Sequence, residues 1–257
     1  MQLNERHFPG DPERPAIGLH CMMGSGGLFD PLAARLGGLV DLRAFDFPGH
    51  GRSPGWIAPG DGIDLHTFVT RQTAGLITRP VDLIGHSFGA TVALRIAVGA
   101  PHAIRSLTLV EPVLFAAASP AASTAEYDRL APYEVAQDWD GMLRQFLGDW
   151  GAAGPVPSEG PKAERLRRQM RMVVDTNAGL MADRANILRE GGLEGVDVPV
   201  MLIAGAQSPP IVHEIAEALA ARLPDVARAT IPGAGHMLPM SHPDQFAELT
   251  RMNLERS

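Results

Sequence analysis

The stretch that most constrains this chain lies at residues 81–90. An apolar run stops at the pentapeptide Gly-His-Ser-Phe-Gly, and an Ala-rich segment with high helix propensity follows. This order predicts a strand, a sharp turn and a helix, with Ser87 in strained backbone angles at the turn. At the positions two residues before and two residues after Ser87, a Cβ would collide with neighbouring backbone. Gly85 and Gly89 occupy these two positions. Such a turn is typical of a nucleophile held at the carboxyl end of a sheet, above a helix N-terminus.

The composition favours a globular chain with a small-molecule partner. The 257 residues are 45% hydrophobic, with no apolar run long enough to span a membrane and no secretory leader at Met1. A formal net charge of −7 argues against nucleic acid and against anionic membrane surfaces as partners. The single cysteine, Cys21, excludes an internal disulfide and a cysteine-based metal cluster. We therefore expect a cytoplasmic monomer or homodimer that acts on a small neutral or apolar molecule.

A second glycine-rich segment follows a predicted strand near the start of the chain. Residues 1–15 are polar and proline-rich, so we expect the ordered core to begin at Ala16. Residues 16–20 predict a buried strand that leads into the loop 21–27. A strand, glycine loop and helix also occur in dinucleotide-binding folds, but this loop lacks the third glycine that close helix packing requires. We interpret it as a loop with backbone N–H groups free to bind a substrate.

The rest of the chain alternates strands with helices. This alternation predicts an α/β fold with a mostly parallel sheet and helices on both faces. The further strands are predicted at residues 40–46, 106–112, 198–204 and 226–231, and the further helices at 63–78, 88–98 and 211–223.

The alternation is interrupted between residues 113 and 195, where helical patterns continue without a convincing strand. Helices are expected at roughly 124–137, 138–150, 161–176 and 179–189, with a glycine-proline linker at 151–161. An apolar stripe is expected to pack this segment on the sheet, and it comprises Trp139, Leu143, Phe146, Leu147 and Trp150. A basic run is expected to form a solvated helix face, and it comprises Lys162, Arg165, Arg167, Arg168 and Arg171.

Three linked motifs give the chain a resemblance to the α/β-hydrolase family. They are a His-containing glycine loop after one strand, Asp-Phe-Pro-Gly-His-Gly-Arg-Ser at residues 46–53 after the next, and Gly-His-Ser-Phe-Gly after a third. Their order is that of the family. The resemblance implies an α/β-hydrolase core at residues 1–112 and 196–257, and a helical lid at 113–195 inserted after the strand that ends at Glu111. It implies no cofactor and no metal.

The resemblance also implies a serine nucleophile and a histidine base. Ser87 matches the nucleophile, and His236 matches the base because it follows the last strand in a Gly-x-Gly-His turn. In most family members the acid stands three residues past the glycine of the strand at 200–204, where this chain has Ser208. Haloalkane dehalogenases and epoxide hydrolases of this fold carry Asp where Ser87 stands, which argues against both activities.

Because the usual acid position holds a serine, another carboxylate must pair with His236, and one is well placed to do so. Asp197 and Asp225 precede strands and so lie at the wrong edge of the sheet, and Glu214 is expected on a helix. Glu111 closes the strand after the nucleophile helix, at the carboxyl edge, where some family members carry their acid. We therefore predict Glu111 as the acid; the alternative is that Glu111 is only a strand-end carboxylate.

The expected function is that of a serine hydrolase, a carboxylesterase or lactonase, that forms an acyl-enzyme on Ser87. Backbone N–H groups of Met22 and Phe88 are expected to stabilise the oxyanion. An uncharged, largely apolar substrate of small to medium size is expected to contact residues that flank these groups, namely Met23, His86, Met237 and Leu238. The alternatives are use of the same triad for C–C bond hydrolysis, thioester hydrolysis or perhydrolysis, and a non-catalytic ligand-binding protein on this scaffold.

Overall fold

A mixed sheet forms the centre of the molecule. Its strands are β1 (Glu5–Phe8), β2 (Pro15–Leu19), β3 (Asp41–Phe45), β4 (Val81–His86), β5 (Ile104–Val110), β6 (Val200–Gly205) and β7 (Val226–Ile231). In residues 1–60, 62–151 and 155–257, which the computed structural model describes, they form one seven-stranded sheet in the order β1-β3-β2-β4-β5-β6-β7. β1 is antiparallel to β3, and every other pair is parallel. The expected α/β fold with a mostly parallel sheet is confirmed.

The edge strand β1 was not expected, because the ordered core was predicted to begin at Ala16. Glu5 to Phe8 pair with β3 over four residues, and exposed and half-buried side chains alternate along the strand. An edge strand that is short and half-exposed needs no apolar run, and Pro9 can follow it because the strand ends there.

Helices cover both faces of the sheet. They are α1 (Asp30–Leu36), α2 (Leu65–Ala74), α3 (Phe88–Gly99), α4 (Pro120–Val135), α5 (Trp139–Asp149), α6 (Gly160–Met181), α7 (Pro210–Ala220), α8 (Leu238–Ser241) and α9 (Pro243–Leu254). Neighbouring strand residues belong to different buried clusters: Leu202 packs with α2, α3 and α7, whereas Met201 and Ile203 pack with α1 and α9. This alternation follows from the period of two along a strand and separates the two layers.

Helices α4, α5 and α6 form an insertion between β5 and β6, here called the helical insertion (residues 113–195). Asp138 caps α5 by accepting a hydrogen bond from the Gly141 N–H at 2.8 Å. The helix expected at 179–189 is wrong: α6 runs on to Met181, and turns follow it. Asp183 explains the change, because its carboxylate accepts hydrogen bonds from the N–H groups of Ile187 and Leu188 and so stabilises a turn. Part of the expected linker, residues 152–154, lies outside the described residues.

None of the described helices is both long enough and apolar enough to cross a bilayer.

Candidate active site

The site begins at the turn between β4 and α3. Ser87 has φ 57° and ψ −118°, a conformation that few non-glycine residues adopt. A Cβ added to Gly85 would lie 2.6 Å from the Ala90 Cα, and one added to Gly89 would collide with the carbonyl oxygen of Leu19. Both glycines are therefore required by the close approach of the turn to neighbouring backbone, as the sequence predicts.

Glu111 and His236 are in direct contact beside this turn. Glu111 follows β5 with a positive φ of 47°, and His236 follows β7. The His236 Nδ1 lies 2.5 Å from the Glu111 Oε2, and both side chains are buried. With the Nδ1–H donating a hydrogen bond to the carboxylate, Nε2 of the imidazole is the basic nitrogen.

The second oxygen of Glu111 is held from β6. Oε1 accepts hydrogen bonds from the Gly205 N–H at 2.6 Å and from the Ser208 hydroxyl at 2.5 Å. Burial raises the pKa of the Glu111 carboxyl, but the hydrogen bonds from His236, Ser208 and Gly205 outweigh it and bring the pKa below its usual value. Glu111 is therefore an ionised, oriented partner for the imidazole at neutral pH.

Two side chains fix the position of His236 from either side. His86 Nε2 lies 2.9 Å from the His236 carbonyl oxygen, so it donates to that backbone group. Burial and the nearby His236 lower the pKa of His86 to about 3, so its ring is neutral. The ring of Trp150 meets the imidazole of His236 edge-on, with centroids 4.7 Å apart. Trp150 thus brings the helical insertion against the base.

A buried carboxyl group supports Trp150. The indole Nε1–H donates to Glu126 Oε1 at 3.2 Å, from α4. Burial raises the pKa of Glu126, although the nearby Arg129 opposes the shift. Glu126 was not among the predicted site residues, because nothing in the sequence around it distinguishes it from other helix carboxylates.

A cavity of about 1040 Å³ lies between the sheet edge and the helical insertion. Ser87 and His236 both line it, as do Met22, Met23 and Met237. Its far wall comes from the insertion and includes Phe146, Leu147, Trp150, Val156 and Leu166. The volume is at the upper end for small-molecule sites, so an ester with a long acyl or alcohol part fits.

Two of the expected substrate contacts lie elsewhere. His86 and Leu238 have no exposed surface, and neither lines this cavity. His86 lies beneath His236, and Leu238 packs in the apolar cluster between the sheet and α9. For His86 the reason is the alternation of side chains at the end of β4, which turns it into the protein, whereas Ser87 lines the cavity. For Leu238 the reason is its place in α8, whose Leu238 side chain packs in the apolar cluster.

The two backbone donors expected to stabilise an oxyanion are those of Met22 and Phe88. Within the described residues, the N–H groups of Met22 and Phe88 donate to no protein acceptor. Phe88 opens α3, whose first N–H groups have no partner in the helix. Its side chain is buried, so only its backbone can serve the site.

The lone thiol next to Met22 is not a nucleophile. Cys21 borders the cavity, but burial raises the pKa of its thiol to about 12. The thiol therefore stays protonated and unreactive at neutral pH. In the described part of the chain, no three His, Cys, Asp or Glu side chains are grouped so that they could hold a metal ion.

Comparison with known proteins gives one consistent result. A family model described as the alpha/beta hydrolase family matches residues 17–249. A pimeloyl-[acyl-carrier protein] methyl ester esterase of Neisseria meningitidis is 28% identical in an alignment of 239 positions, gaps included, that covers 87% of this chain and 86% of that protein. The lipase LipV of Mycobacterium tuberculosis is 26% identical in an alignment of 268 positions, gaps included, that covers 97% of this chain and 96% of that protein.

Solved structures show the same fold. An esterase from Exiguobacterium antarcticum superposes with a TM-score of 0.68 at 19% identity, over 98% of this chain and 95% of that chain. At this level of identity the likeness concerns the fold alone.

Proposed function

Because the chain belongs to the alpha/beta hydrolase family and is an esterase-like enzyme, we propose that it cleaves carboxylic esters with Ser87, His236 and Glu111 as the catalytic triad. The observation that carries this proposal is the buried contact between His236 Nδ1 and Glu111 Oε2, beside the strained turn that presents Ser87. A carboxylate that orients an imidazole in the same cavity as a serine is the arrangement that nucleophilic acyl transfer requires.

The reaction has two halves. His236 Nε2 takes the proton of the Ser87 hydroxyl as the oxygen attacks the ester carbonyl, and Glu111 balances the charge of the imidazolium. The carbonyl oxygen becomes an oxyanion that accepts hydrogen bonds from the Met22 and Phe88 N–H groups. The intermediate collapses, the C–O bond to the alcohol breaks, and His236 returns its proton to the departing alcohol. Water then attacks the acyl-enzyme by the same route and releases the acid and free Ser87.

The helical insertion is proposed to act as the lid over this reaction, on a core formed by residues 1–112 and 196–257. Trp150 supports this role, since its ring packs on the base from the insertion. Met23 and Met237 line the cavity and are proposed to contact apolar groups next to the scissile bond, because thioether side chains adapt to different shapes. His86 is proposed to position His236, and Leu238 to pack beneath it.

Carboxylic esters are favoured over other substrates of the same triad. Two relatives similar over most of the chain carry the names of a methyl ester esterase and a lipase, both ester-cleaving activities. We propose a small-molecule ester as the substrate and the cytoplasm as the location. Thioesters, lactones and C–C bonds are the alternative substrates for the same triad.

The test combines a covalent probe with a substrate panel. A fluorophosphonate should label the wild-type protein at Ser87 and leave the Ser87→Ala variant unlabelled, with both variants melting at the same temperature. p-Nitrophenyl esters of increasing acyl length should be turned over by the wild type and not by Ser87→Ala. Turnover in Ser87→Ala within about tenfold of wild type would exclude Ser87 as nucleophile, since loss of a triad serine removes several orders of magnitude. A wild type that is neither labelled nor active would indicate a ligand-binding protein.

A further inference from the structure

The cavity at Ser87 carries an excess of positive charge, although the chain as a whole has a net charge of −7. Its lining contains one carboxylate, that of Asp46, and four cations: Arg6, Arg52, Lys162 and Arg165. Asp46 is 2% exposed and accepts hydrogen bonds from the Gly26 N–H and the Arg52 N–H, so its charge is already bound within the protein.

Among the described residues, only one of these four cations has an acidic partner. Arg6 pairs with Asp30 at 3.1 Å. The side chains of Arg52, Lys162 and Arg165 make no ion pair with any carboxylate in residues 1–60, 62–151 and 155–257. Unpaired cations that line one cavity raise the local potential and attract an anion.

Helix α6 divides its basic run between two environments. Lys162 and Arg165 lie on one face with Leu166 and Gln169, and all four line the cavity. The other cations point elsewhere: Arg167 binds the Asp140 carboxylate at 2.6 and 2.8 Å, Arg168 is 4.0 Å from Glu164, and Arg171 lies over the Trp139 ring. Lys162, Arg165, Arg168 and Arg171 are solvent-exposed, as the sequence predicts, but they lie on two sides of the helix, and one side borders the cavity.

The position of Lys162 within α6 strengthens the case for a bound anion. Lys162 is the third residue of a 22-residue helix, so its ammonium lies near the positive end of the helix dipole. A cation there is unfavourable for the helix alone. An anion at the same place would be stabilised both by the dipole and by the two side chains.

We propose that Lys162 and Arg165, together with Arg52 from the loop after β3, bind a carboxylate at the end of the substrate distant from the scissile ester. The inference rests on the proposed ester hydrolysis at Ser87 and names its substrate class: monoesters of apolar dicarboxylic acids. The apolar wall between the cations and Ser87 then contacts the methylene chain. The expectation that the substrate is uncharged then applies only to the substrate groups that flank the reacting carbonyl.

The test compares p-nitrophenyl monoesters of straight-chain dicarboxylic acids with their ω-carboxamide isosteres over a range of chain lengths. At the chain length that spans the cavity, kcat/KM for the carboxylate should exceed that for the carboxamide by about fivefold or more, the effect of one or two exposed ion pairs. The preference should disappear in the double variant Lys162→Gln/Arg165→Gln and weaken in wild type as salt is added. Arg168→Gln is the matched control, because it removes one cation from the same helix outside the cavity.

The outcomes separate this inference from the hydrolysis itself. Hydrolysis of the carboxamide esters by wild type, the double variant and Arg168→Gln, with a carboxylate preference only in wild type and Arg168→Gln, supports it. Equal rates for both ester series in wild type, or an equal loss of preference in Arg168→Gln and the double variant, overturn it. If no ester is hydrolysed, the proposed reaction fails, and calorimetric affinities of the two ester series for Ser87→Ala and for Ser87→Ala/Lys162→Gln/Arg165→Gln decide the anion site.

Discussion

Ser208 donates a hydrogen bond to Glu111 across 2.5 Å. In most relatives of this fold the position of Ser208 carries the acid itself. Here the proposed acid is Glu111, which follows the neighbouring strand β5. Its backbone N–H donates a hydrogen bond to the Ile203 carbonyl oxygen of β6. Because β5 and β6 pair in parallel, their carboxyl ends lie side by side, and a carboxylate from either can reach His236.

Glu111→Gln should keep the fold and remove most of the activity. The amide oxygen can still accept a hydrogen bond, but the neutral group cannot balance the imidazolium that forms in the transition state. We expect kcat to fall by about a thousandfold or more, as in other triads that lose their acid to an amide. Steady-state kinetics on a p-nitrophenyl ester measure this, with Glu217→Gln on the exposed side of α7 as the control. Turnover near the wild-type level would leave His236 without its assigned partner.

Adding a carboxylate at Ser208 should restore part of the loss. Ser208→Asp places the acid where most relatives have it, within reach of the space that the Glu111 carboxylate now occupies. In the Glu111→Gln background we expect kcat to recover at least about tenfold, which is about 1.4 kcal/mol of transition-state stabilisation. The single variant Ser208→Asp should be less stable than wild type, since two carboxylates would then share one buried site. No recovery in the double variant would mean that the two positions are not equivalent.

Ser208→Ala tests the support of Glu111 alone. Loss of one hydrogen bond to a buried charge should lower kcat by about fivefold to thirtyfold. The variant also raises the pKa of Glu111 towards its usual value. A depressed carboxyl pKa contributes stability above the unfolded-state pKa and loses it as the pH falls through the folded-state pKa. The difference in melting temperature between wild type and variant should therefore be largest near neutrality and shrink in acid. A pH-independent difference would argue that Ser208 does not act through the ionised carboxylate.

Gly89→Ala should destabilise the protein, because its Cβ would meet the Leu19 carbonyl oxygen and the His20 carbonyl oxygen. Backbone cannot move aside as a side chain can, so we expect a loss of about 3 kcal/mol in the free energy of unfolding. Gly99→Ala, at the other end of α3, is the control: no atom lies within 4 Å of its added Cβ, and the change should stay within about 1 kcal/mol. Urea titrations of the two variants measure the difference. Equal midpoints would contradict the tight packing of the turn.

Glu126→Gln should change how stability depends on pH. The pKa of Glu126 is raised in the folded protein, so the wild type loses stability as the pH rises through that pKa. Glutamine keeps the acceptor for Trp150 and has no charge to bury. The melting temperature of the variant should therefore rise relative to wild type between acid and neutral pH, and Glu134→Gln on the same helix should show no such trend. Parallel pH curves for Glu126→Gln and wild type would show that burial does not disfavour the ionised form of Glu126 in the folded protein.

The positions of the proposed triad residues were predictable because each is marked by local sequence. Ser87 lies between two glycines that the turn requires, Glu111 follows an apolar run, and His236 ends a Gly-x-Gly-His turn. Parallel strands bring their carboxyl ends to one edge, so the contact between Glu111 and His236 follows from the order of the sheet.

The helical insertion was less predictable because helical spacing defines a face without saying what that face meets. Trp150 belonged to an apolar stripe, and only the packing of α5 on the core brings its ring to His236. The placement of Arg165 at the cavity and Arg168 outside it likewise depends on the rotation of α6 about its own axis. β1 was missed because an edge strand of four residues is too short to show a periodic pattern in the sequence.

The cavity has two walls that come from different segments of the chain. The strand ends and their loops supply the proposed triad and the two backbone N–H groups. The opposite wall is drawn from the helical insertion, where Leu147, Val156 and Leu166 line the cavity and pack in a cluster separate from those on the sheet. Mutations at these three positions can change which substrates are accepted while the groups at the sheet edge stay in place, so substrate range can evolve faster than mechanism.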